Sequence, residues 1–370
     1  MKEVIVHEGK AIVVVPKADV PSRKMPVFYN PVMQVNRDIT VILLNSVEQK
    51  NMRIADPLAG TGIRAIRLCK ELAVEKIDHM FLNDHDDKAF LLMKENLYHN
   101  KLQMYDEHNE NMFDKTEKEK QHHHIHVYKK DANLFLHQSL GFEYIDIDPF
   151  GCPNPFLDLA VQRLSRNGIL AVTATDTSAL SGTYIKACQR KYWAMPKLDE
   201  VKHETGLRIL IRKVQLIAAQ YEKALLPLYS YSHEHYMRVF FVMKKSKDEV
   251  DKIIKQHVMW NNAGPLWNGH LWDKKLAKKI AIAAEQNKDV CMETKKLTKV
   301  IAEEAQVDNA PFLDIHILVK NEKIKNIPPF EKIMSAIKKK KYNVARTHFV
   351  KTGMRTTMSR EQMIMLIKKL

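Results

Sequence analysis

Cysteine, glycine and long apolar segments are all scarce in this chain of 370 residues. No two of its four cysteines form a CxxC pair, which argues against a zinc ribbon and a disulfide framework and favours a reducing compartment. No run of about 18 apolar residues is present, so we expect no transmembrane helix. The charged first ten residues do not have the pattern of a signal peptide. Together these absences predict a cytoplasmic protein.

Acidic residues are outnumbered, and the positive excess is uneven along the chain. Residues 1–250 contain 35 basic and 32 acidic residues, a net charge of +3, whereas residues 251–370 contain 24 and 12, a net charge of +12. A basic region joined to a nearly neutral one is typical of a protein that holds a polyanion with one part and acts with the other. A solubilising basic surface would have the same composition. We predict two domains, 1–250 and 251–370.

Short strands and helices alternate through the first half of the chain. The pattern predicts a β-hairpin within residues 1–20, strands at 52–56, 76–82, 125–128, 144–148 and 168–175, and helices at 32–46, 63–72, 88–97 and 156–164. Such alternation at short spacing is the signature of a doubly wound, mostly parallel sheet. The predicted fold class of this part is therefore α/β.

The rest of the chain has a less regular pattern. Residues 104–120 are polar and highly charged, which predicts a loop insertion, and the His-rich stretch 121–126 fits either a metal-binding tract or a solvated approach to the next strand. We favour the second interpretation and expect no metal ion. The basic C-terminal region is predicted to be a smaller α+β domain, with helices at 274–285, 294–306, 330–340 and 360–370 and strands near 312–319 and 346–349. Trp260, Trp267 and Trp272 are expected to pack rather than to stack on bases.

Two of the eleven glycines flank Thr61, between a predicted strand and a predicted helix. Glycine is needed where the backbone adopts a positive φ or approaches a ligand closely, and Gly60 to Ala65 fits the loose pattern G-x-G-x-x-A of a dinucleotide-binding loop. Asp84 follows at the end of the next predicted strand, where a carboxylate accepts hydrogen bonds from ribose hydroxyls. A plain strand–helix turn would also explain the glycines, but the combination favours a nucleoside-containing cofactor.

The predicted strand at 144–148 ends in Asp148-Pro149-Phe150. At the carboxyl end of a sheet strand these residues would face the ligand crevice. The Asp148 carboxylate and the Pro149 carbonyl are acceptors for the hydrogens of an amine, and Phe150 offers a face for a planar base. An aromatic amine is a poor nucleophile because its lone pair is delocalised, and two acceptors on its hydrogens would orient that lone pair. This pattern favours methylation of an exocyclic amine over hydride transfer to a nicotinamide; a buried acidic turn is the alternative without function.

Eight short stretches, in order, resemble the tRNA (guanine-N2-)-dimethyltransferase family, which acts on the guanine at position 26 of tRNA. They lie at residues 28–31, 36–38, 56–64, 82–84, 131–133, 145–151, 173–177 and 264–267. The resemblance implies S-adenosylmethionine as methyl donor and a class I, Rossmann-like methyltransferase domain with a family-specific C-terminal domain. It also implies that two methyl groups go in turn onto one amine. Without cysteine-rich or basic extensions, the chain is similar to the compact archaeal form, which has no structural zinc.

The resemblance also implies roles for individual residues. Asp148, Pro149 and Phe150 would be catalytic, with Asp148 as the acceptor for the amine. The cofactor would be bound by a larger set: Arg37 at its carboxylate, Asp84 at its ribose, Asp131 and Ala132 at its adenine, together with Asp56, Gly60, Gly62 and either Arg64 or Arg67.

The densest basic segment of the C-terminal region is expected to bind tRNA phosphates. Its residues are Lys338, Lys339, Lys340, Lys341, Arg346, Lys351 and Arg355. A solvated basic face is the alternative.

We favour a monomer. Three other functions stay open at this point: an amino-methyltransferase acting on another nucleic-acid base or on protein glutamine, an RNA-binding protein without activity, and a nicotinamide-dependent oxidoreductase.

Overall fold

A computed structural model describes residues 3–17, 25–106, 124–307 and 311–370 of the chain. Its strands are β1 (Glu3–Glu8), β2 (Ala11–Pro16), β3 (Met52–Asp56), β4 (Ile77–Asn83), β5 (Met104–Asp106), β6 (His124–Tyr128), β7 (Phe142–Ile147), β8 (Leu164–Ala174), β9 (Lys223–His233), β10 (Tyr236–Lys245), β11 (His257–Trp260), β12 (Ala263–Trp267), β13 (Leu313–Asp314), β14 (Val344–Arg346) and β15 (Gly353–Thr356).

The helices alternate with these strands in the first half of the chain and predominate in the second. They are α1 (Gln34–Ser46), α2 (Ile63–Glu71), α3 (Asp87–His99), α4 (Ala132–Gln138), α5 (Asn154–Arg163), α6 (Thr177–Leu180), α7 (Ile185–Tyr192), α8 (Lys202–Ala219), α9 (Lys247–Lys255), α10 (Lys274–Gln286), α11 (Met292–Val307), α12 (Ile315–Asn321), α13 (Phe330–Lys339) and α14 (Arg360–Lys368). None of the described helices is long and apolar enough to cross a membrane.

An eight-stranded sheet in the order β5-β6-β4-β3-β7-β8-β10-β9 organises the molecule. The strands from β5 to β8 in this order are parallel. Strand β10 is antiparallel to β8, and β9, which is antiparallel to β10, runs in the same direction as β8. The chain runs outward from β3 to β4 and then to the β5–β6 edge, and returns to place β7 on the other side of β3. The order therefore reverses between β3 and β7, and ligands of open α/β sheets bind at the carboxyl ends of strands at such a switch point.

The structure confirms the predicted α/β class, the N-terminal hairpin and the strand–helix units, with shifts of a few residues at their ends. The hairpin is fastened to α3 by two amides. Asn96 accepts from the Val14 N–H at 2.7 Å, and Asn100 accepts from the Ile12 N–H at 3.1 Å. The hairpin is thus packed on the α/β core through α3.

Three local predictions were wrong. Residues 104–106 are not loop but an edge strand, β5, paired with β6; the rest of the predicted insertion, and His122 and His123, lie outside the described residues. The strand predicted at 312–319 is mostly α12, since the Asp314 carboxylate caps the N–H groups of His316 and Ile317. The strand predicted at 346–349 ends at Arg346, because Thr347 and His348 turn to bond Glu304.

The described residues form two main hydrophobic cores and a small third cluster of Val27, Ala89 and Leu92; most of the chain after α11 belongs to the second core, although Phe312 and Phe349 pack in the first. The larger contains both faces of the sheet together with α9, α10 and α11, and the smaller is built from α12, α13, α14 and β15. The helices α10 and α11 therefore pack with the sheet, and the boundary between residues 250 and 251 stays a prediction. Trp267 and Trp272 are buried in the larger core, as expected for packing residues.

Candidate active site

A cavity of about 760 Å³ opens at the carboxyl ends of β3, β4, β7 and β8. Its walls come from the loop after β3, the segment before α1, and the turns that follow β4 and β7. The volume is typical of pockets that hold a cofactor-sized ligand. Of the residues expected to bind cofactor or substrate, the lining contains Arg37, Asp56, Gly60, Arg64, Asp84, Asp148, Pro149 and Phe150.

The glycine loop between β3 and α2 has the predicted backbone. Gly60 and Gly62 adopt φ values of +54° and +76°, a region that only glycine enters without strain, and a Cβ on Gly62 would come within 3.0 Å of Met93. The Gly60 N–H donates to Asp84 Oδ2 at 2.9 Å, and the Asp86 N–H donates to Asp84 Oδ1 at 3.1 Å. Both oxygens of Asp84 are thereby fixed at the rim of the cavity.

Arg64 forms an ion pair with Asp148, rather than extending towards open space. Its Nη2 donates to Asp148 Oδ2, and its Nη1 donates to Asn36 Oδ1 at 2.9 Å. The Asp148 side chain is 15% exposed and faces the cavity, whereas that of Arg64 is 8% exposed. An arginine that is charged at every accessible pH therefore keeps a carboxylate oriented at the cavity wall.

Beneath this pair lies a second one, fully buried. Arg238 on β10 binds both oxygens of Asp146, at 2.7 and 2.8 Å, and the Tyr144 hydroxyl donates to Asp146 at 2.6 Å. Burial would raise the pKa of Asp146, but the guanidinium groups of Arg238 and Arg64 outweigh it and lower the pKa to about 2. Asp146 is therefore a permanent anion that supports Arg64 from below, at 3.4 Å.

Asp56 lines the cavity in a different electrostatic state. Burial, followed by the charges of Asp146, Asp148 and Asp84, raises its pKa to about 7, although Arg64 opposes this. A neutral carboxyl at the end of β3 is ready to ionise when a cation enters the cavity.

Arg37 and Arg67 share Glu8 of the N-terminal hairpin. Arg37 donates from Nε and Nη2 to the two oxygens of Glu8 at 2.6 Å each and still lines the cavity. Arg67 is fully buried and bonds Glu8, Asp38 and Glu71 at 2.9, 2.5 and 2.8 Å. Because its guanidinium is enclosed by these three carboxylates, Arg67 does not reach the cavity, which corrects its place among the cofactor-binding candidates.

Aromatic residues form the outer part of the cavity. Phe150 is 45% exposed, and Phe28 meets it edge to face with ring centroids 4.4 Å apart. The Gly151 N–H donates to Thr175 Oγ1 at 2.6 Å, and the Thr175 N–H donates to Gly151 O at 2.9 Å, so the loop after β7 is tied to the end of β8. The exposed face of Phe150 and the hydrogen-bond acceptors of this loop together suit a planar ring that carries hydrogen-bond donors.

Sequence reasoning missed three residues of this site: Phe28 as the partner of Phe150, Tyr236 in the lining, and Arg238 beneath Asp146. Arg238 carried a signal, because it interrupts an otherwise apolar strand, and a buried arginine requires an anion. Phe28 begins a stretch that carries the family resemblance, 28–31, but no role was predicted for it, and Tyr236 carried no signal that separates it from core aromatics.

Asp131 and Ala132 lie at the end of β6, outside the cavity lining. The Asp131 carboxylate caps α4 by accepting from the N–H groups of Asn133 and Leu134, at 2.9 and 3.1 Å. Gly62 is not part of the lining either; it acts through the turn that starts α2.

The predicted tRNA-binding residues fall into two groups. Lys338 to Lys341 and Lys351 are exposed, and Arg346 is half-buried, paired with Glu331 and 4.3 Å from the Phe330 ring. Arg355 is 1% exposed and sits between Glu204 and Glu304, at 3.0 and 2.6 Å. Because Arg355 is buried and paired with two carboxylates, it links β15 to α8 and α11 and is not accessible to an external phosphate.

Comparisons with known proteins agree with this geometry. The family model described as N2,N2-dimethylguanosine tRNA methyltransferase matches residues 9–263 and 258–368. The tRNA (guanine(26)-N(2)/guanine(27)-N(2))-dimethyltransferase of Aquifex aeolicus is 36% identical, over 99% of this chain and 96% of its own length. The tRNA (guanine(26)-N(2))-dimethyltransferase of Pyrococcus horikoshii is 35% identical, over 99% of this chain and 98% of its own.

A solved structure has the same fold over the whole chain. Trm1 from Pyrococcus horikoshii, in complex with S-adenosyl-L-methionine, superposes with a TM-score of 0.86 at 34% identity. The superposition covers 98% of this chain and 99% of that one.

Proposed function

This chain belongs to the N2,N2-dimethylguanosine tRNA methyltransferase family, and we propose that the cavity at the β3–β7 switch point is where it works. The enzyme is a tRNA (guanine(26)-N2)-dimethyltransferase that uses S-adenosyl-L-methionine. The observation that carries the proposed site is the carboxylate of Asp148, held by Arg64 beside Phe150, in the same cavity as the glycine loop and Asp84.

The residues on the inner side of the cavity fit the chemistry of the methyl donor. Asp84, fixed at the end of β4, would accept from the ribose hydroxyls. Arg37 would meet the carboxylate, and Asp56, which ionises near neutral pH, would accept from the ammonium. Bound there, the donor supplies an electrophilic methyl group on a sulfonium. Adenine recognition by Asp131 and Ala132 stays a prediction, since both lie outside the lining.

The outer side fits the guanine base. The half-exposed ring of Phe150 would stack on one face of the base, with Phe28 supporting that ring edge to face. The N1–H and N2–H donors of guanine point in the same direction, so the carboxylate of Asp148 is a matched acceptor, with the Pro149 carbonyl as a second one. Arg64 donates to one oxygen of Asp148 and so fixes the orientation of the carboxylate towards the amine.

Alignment supplies most of the proposed rate enhancement. Holding an amine, a methyl carbon and its leaving group in line is worth several orders of magnitude. Acidic groups that attracted the sulfonium strongly would stabilise the ground state as much as the transition state. The ion pair of Asp148 with Arg64 and the neutral tendency of Asp56 limit that attraction. The methylated amine is strongly acidic, so a weak base such as Asp148 suffices to take its proton.

We propose that residues 251–370 hold the rest of the tRNA. The exposed lysines Lys338 to Lys341 and Lys351, with Arg346, would bind phosphates of the substrate, while the target base turns out of its stem at a cost of a few kcal/mol. The enzyme would act as a cytoplasmic monomer, since its substrate is tRNA and one chain carries every group in the cavity.

The test is incubation with unmodified tRNA transcript and methyl-labelled donor, followed by nucleoside analysis. The expected product is monomethylguanosine, then dimethylguanosine, in wild-type transcript and none when guanine 26 is replaced by adenine. Label in methyladenosine, or label that survives the replacement, would contradict the assignment.

A further inference from the structure

The segment from Thr177 to Leu198 has no acidic residue and four basic ones. It contains α7 and the stretch that follows, and five of its large apolar side chains are exposed. Their exposed fractions are 63% for Tyr184, 46% for Ile185, 52% for Trp193, 38% for Met195 and 61% for Leu198. Clustered apolar side chains at a surface mark an interaction site when they are contiguous.

The contacts within the segment make these side chains one surface. Residues 193–198 run back alongside α7, because Gly182 packs against the Leu198 backbone and the Gln189 amide lies 3.9 Å from Met195 Sδ. Met195 also pairs with Gly264 through two backbone hydrogen bonds of 2.7 Å, which holds the returning stretch in place. We refer to residues 184–198 as the α7 surface.

The α7 surface lies at the same edge of the sheet as the cavity. Lys191 and the Tyr192 hydroxyl both bond Asp176, the neighbour of the cavity residue Thr175. The Asn154 amide donates to the Lys191 carbonyl at 2.6 Å, and the next residue, Pro155, lines the cavity. A substrate with one nucleotide in the cavity therefore passes close to this surface.

Two cations beneath Trp193 lack an anionic partner. Lys213 is 3% exposed and places Nζ 2.8 Å from the centre of the Trp193 ring, while Arg212 donates to the Trp193 carbonyl at 3.2 Å. In the described part of the chain no carboxylate pairs with either cation, and Arg212 Nε is buried without a hydrogen-bond partner. Burial lowers the pKa of Lys213 to about 8. Because no carboxylate of the described residues pairs with Lys213 or Arg212, an anion bound at this surface would interact favourably with both cations.

We propose that the α7 surface is a second tRNA-binding surface, on the catalytic side of the molecule and separate from the basic C-terminal region. Trp193 and Tyr184 would stack on nucleotides, and the exposed Lys186 and Arg190 would meet phosphates next to the everted guanine. The cations under Trp193 would attract the same phosphates without touching them. The charge of the segment selects a polyanion over an apolar protein partner. The proposal rests on the tRNA methyltransferase function given above.

The test compares Trp193→Asn and the double variant Lys186→Glu/Arg190→Glu with wild type. Asparagine tolerates the left-handed backbone of Trp193, whose φ is 56°, so the turn is preserved. Leu140→Ala and Lys50→Glu/Arg166→Glu are matched controls, because they change exposed residues at the amino ends of β7, β3 and β8, the ends of the parallel strands that lie away from the cavity. The Kd for tRNA, its salt dependence, kcat at saturating tRNA and the Kd for the methyl donor are measured for each.

We expect Trp193→Asn to raise the Kd for tRNA about tenfold. The charge reversal should raise it further and reduce the slope of log Kd against log salt concentration by about two. Donor affinity and kcat at saturating tRNA should stay within twofold, and the Leu140 and Lys50/Arg166 controls should match wild type. Unchanged tRNA affinity in both α7 variants would overturn the proposal, as would a change in oligomeric state, which would make the surface a subunit interface. A wild-type enzyme that does not methylate tRNA would instead refute the proposed function.

Discussion

Two buried clusters of arginines and carboxylates in this enzyme have similar composition and different use. The cavity cluster consists of Arg64, Arg238, Asp146 and Asp148; the junction cluster consists of Arg208, Arg355, Glu204, Glu304 and His348. In the cavity cluster Asp148 has a side chain 15% exposed to the cavity, whereas Glu204, Glu304 and Arg355 of the junction cluster are completely enclosed. The two clusters therefore differ in one respect: the cavity cluster has a carboxylate, Asp148, that a ligand can reach, and the junction cluster has none among these three residues.

The junction cluster joins distant parts of the chain. Glu204 is on α8, Glu304 on α11 and Arg355 on β15, and His348 Nε2 accepts from the Ser232 N–H of β9 at 3.3 Å. Burial would raise the pKa of Glu304, but His348 and Arg355 outweigh it and lower the pKa to about 2. The junction cluster thereby joins α11 and β15 of the basic C-terminal region to α8 and β9.

The comparison is tested most strongly by removing the arginine of the junction. Arg355→Met should lower the free energy of unfolding by about 3–5 kcal/mol, because it leaves Glu204 and Glu304 buried with one cation fewer. Chemical denaturation measures the loss, and kcat of the folded fraction should stay within twofold. If the Arg355→Met protein were as stable as wild type but bound tRNA weakly, Arg355 would be a tRNA-binding residue and not a structural one.

Substitution of the arginine in the cavity cluster should lower activity and leave stability nearly unchanged, the reverse of the effect of Arg355→Met. Arg64→Lys keeps the charge but not the fork that reaches both Asn36 and Asp148, so the carboxylate loses its orientation. We expect kcat to fall about 100-fold while the midpoint of thermal unfolding moves by only a few degrees. Steady-state kinetics and calorimetry on one preparation decide it; a large loss of stability with intact kcat would make Arg64 a fastening residue as well.

Asp56 gives the cavity cluster a pH dependence that the junction lacks. With a pKa of about 7, its carboxyl is protonated below neutral pH and meets the donor's ammonium poorly. Donor affinity should therefore rise about tenfold between pH 6 and pH 8, and Asp56→Asn should flatten the profile. Titration calorimetry across this range measures it, and a wild-type profile that is already flat would contradict the role of Asp56.

The same shift has a consequence for stability. The pKa of Asp56 in the folded protein is above its unfolded value of 3.8, so the folded state binds the extra proton between about pH 4 and pH 7. The contribution of Asp56 to stability is therefore present at low pH and is lost as the pH rises through 7. Asp56→Asn should remove this fall.

The smallest expected effect concerns the exposed lysines outside both clusters. Lys338→Ala/Lys339→Ala should raise the Kd for tRNA several-fold and reduce its salt slope by about two, since each lysine releases about one counterion from the RNA. The stability of the protein should not change, because both side chains are exposed. Lys50→Ala/Arg166→Ala, at the amino ends of β3 and β8, is the control, and equal effects of the two pairs would mean that the C-terminal lysines have no special position.

Features of the structure that are determined by nearby residues could be predicted from the sequence, whereas those determined by tertiary contacts could not. The parallel strands were predictable because their buried apolar runs alternate with amphipathic helices, and the grouping of Asp56, Asp84 and Asp148 followed, because parallel strands bring their carboxyl ends to one edge. The capped helix α12 was mistaken for a strand, although Ile315, Leu318 and Val319 repeat at helical spacing.

The fate of the arginines was not predictable in the same way. Arg67 and Arg355 look like any surface arginine in the sequence, and their burial depends on Glu8, Asp38, Glu204 and Glu304, which only the tertiary fold brings to them. The sequence did not decide between Arg64 and Arg67 at the cofactor; of the two, Arg64 lines the cavity, with its guanidinium bonded to Asp148. Charge density along the chain thus predicts a polyanion partner but does not say which cations are free to meet it.

Single-turnover methylation of tRNA by Asp148→Asn tests the central claim most directly. Asparagine keeps the shape of the side chain but removes the charge that pairs with Arg64 and accepts from guanine. We predict that the methyl-transfer rate falls about a thousandfold, while the Kd for the donor stays within threefold and Asp158→Asn, a change of an exposed carboxylate on α5, behaves as wild type. A transfer rate within tenfold of wild type would contradict the account.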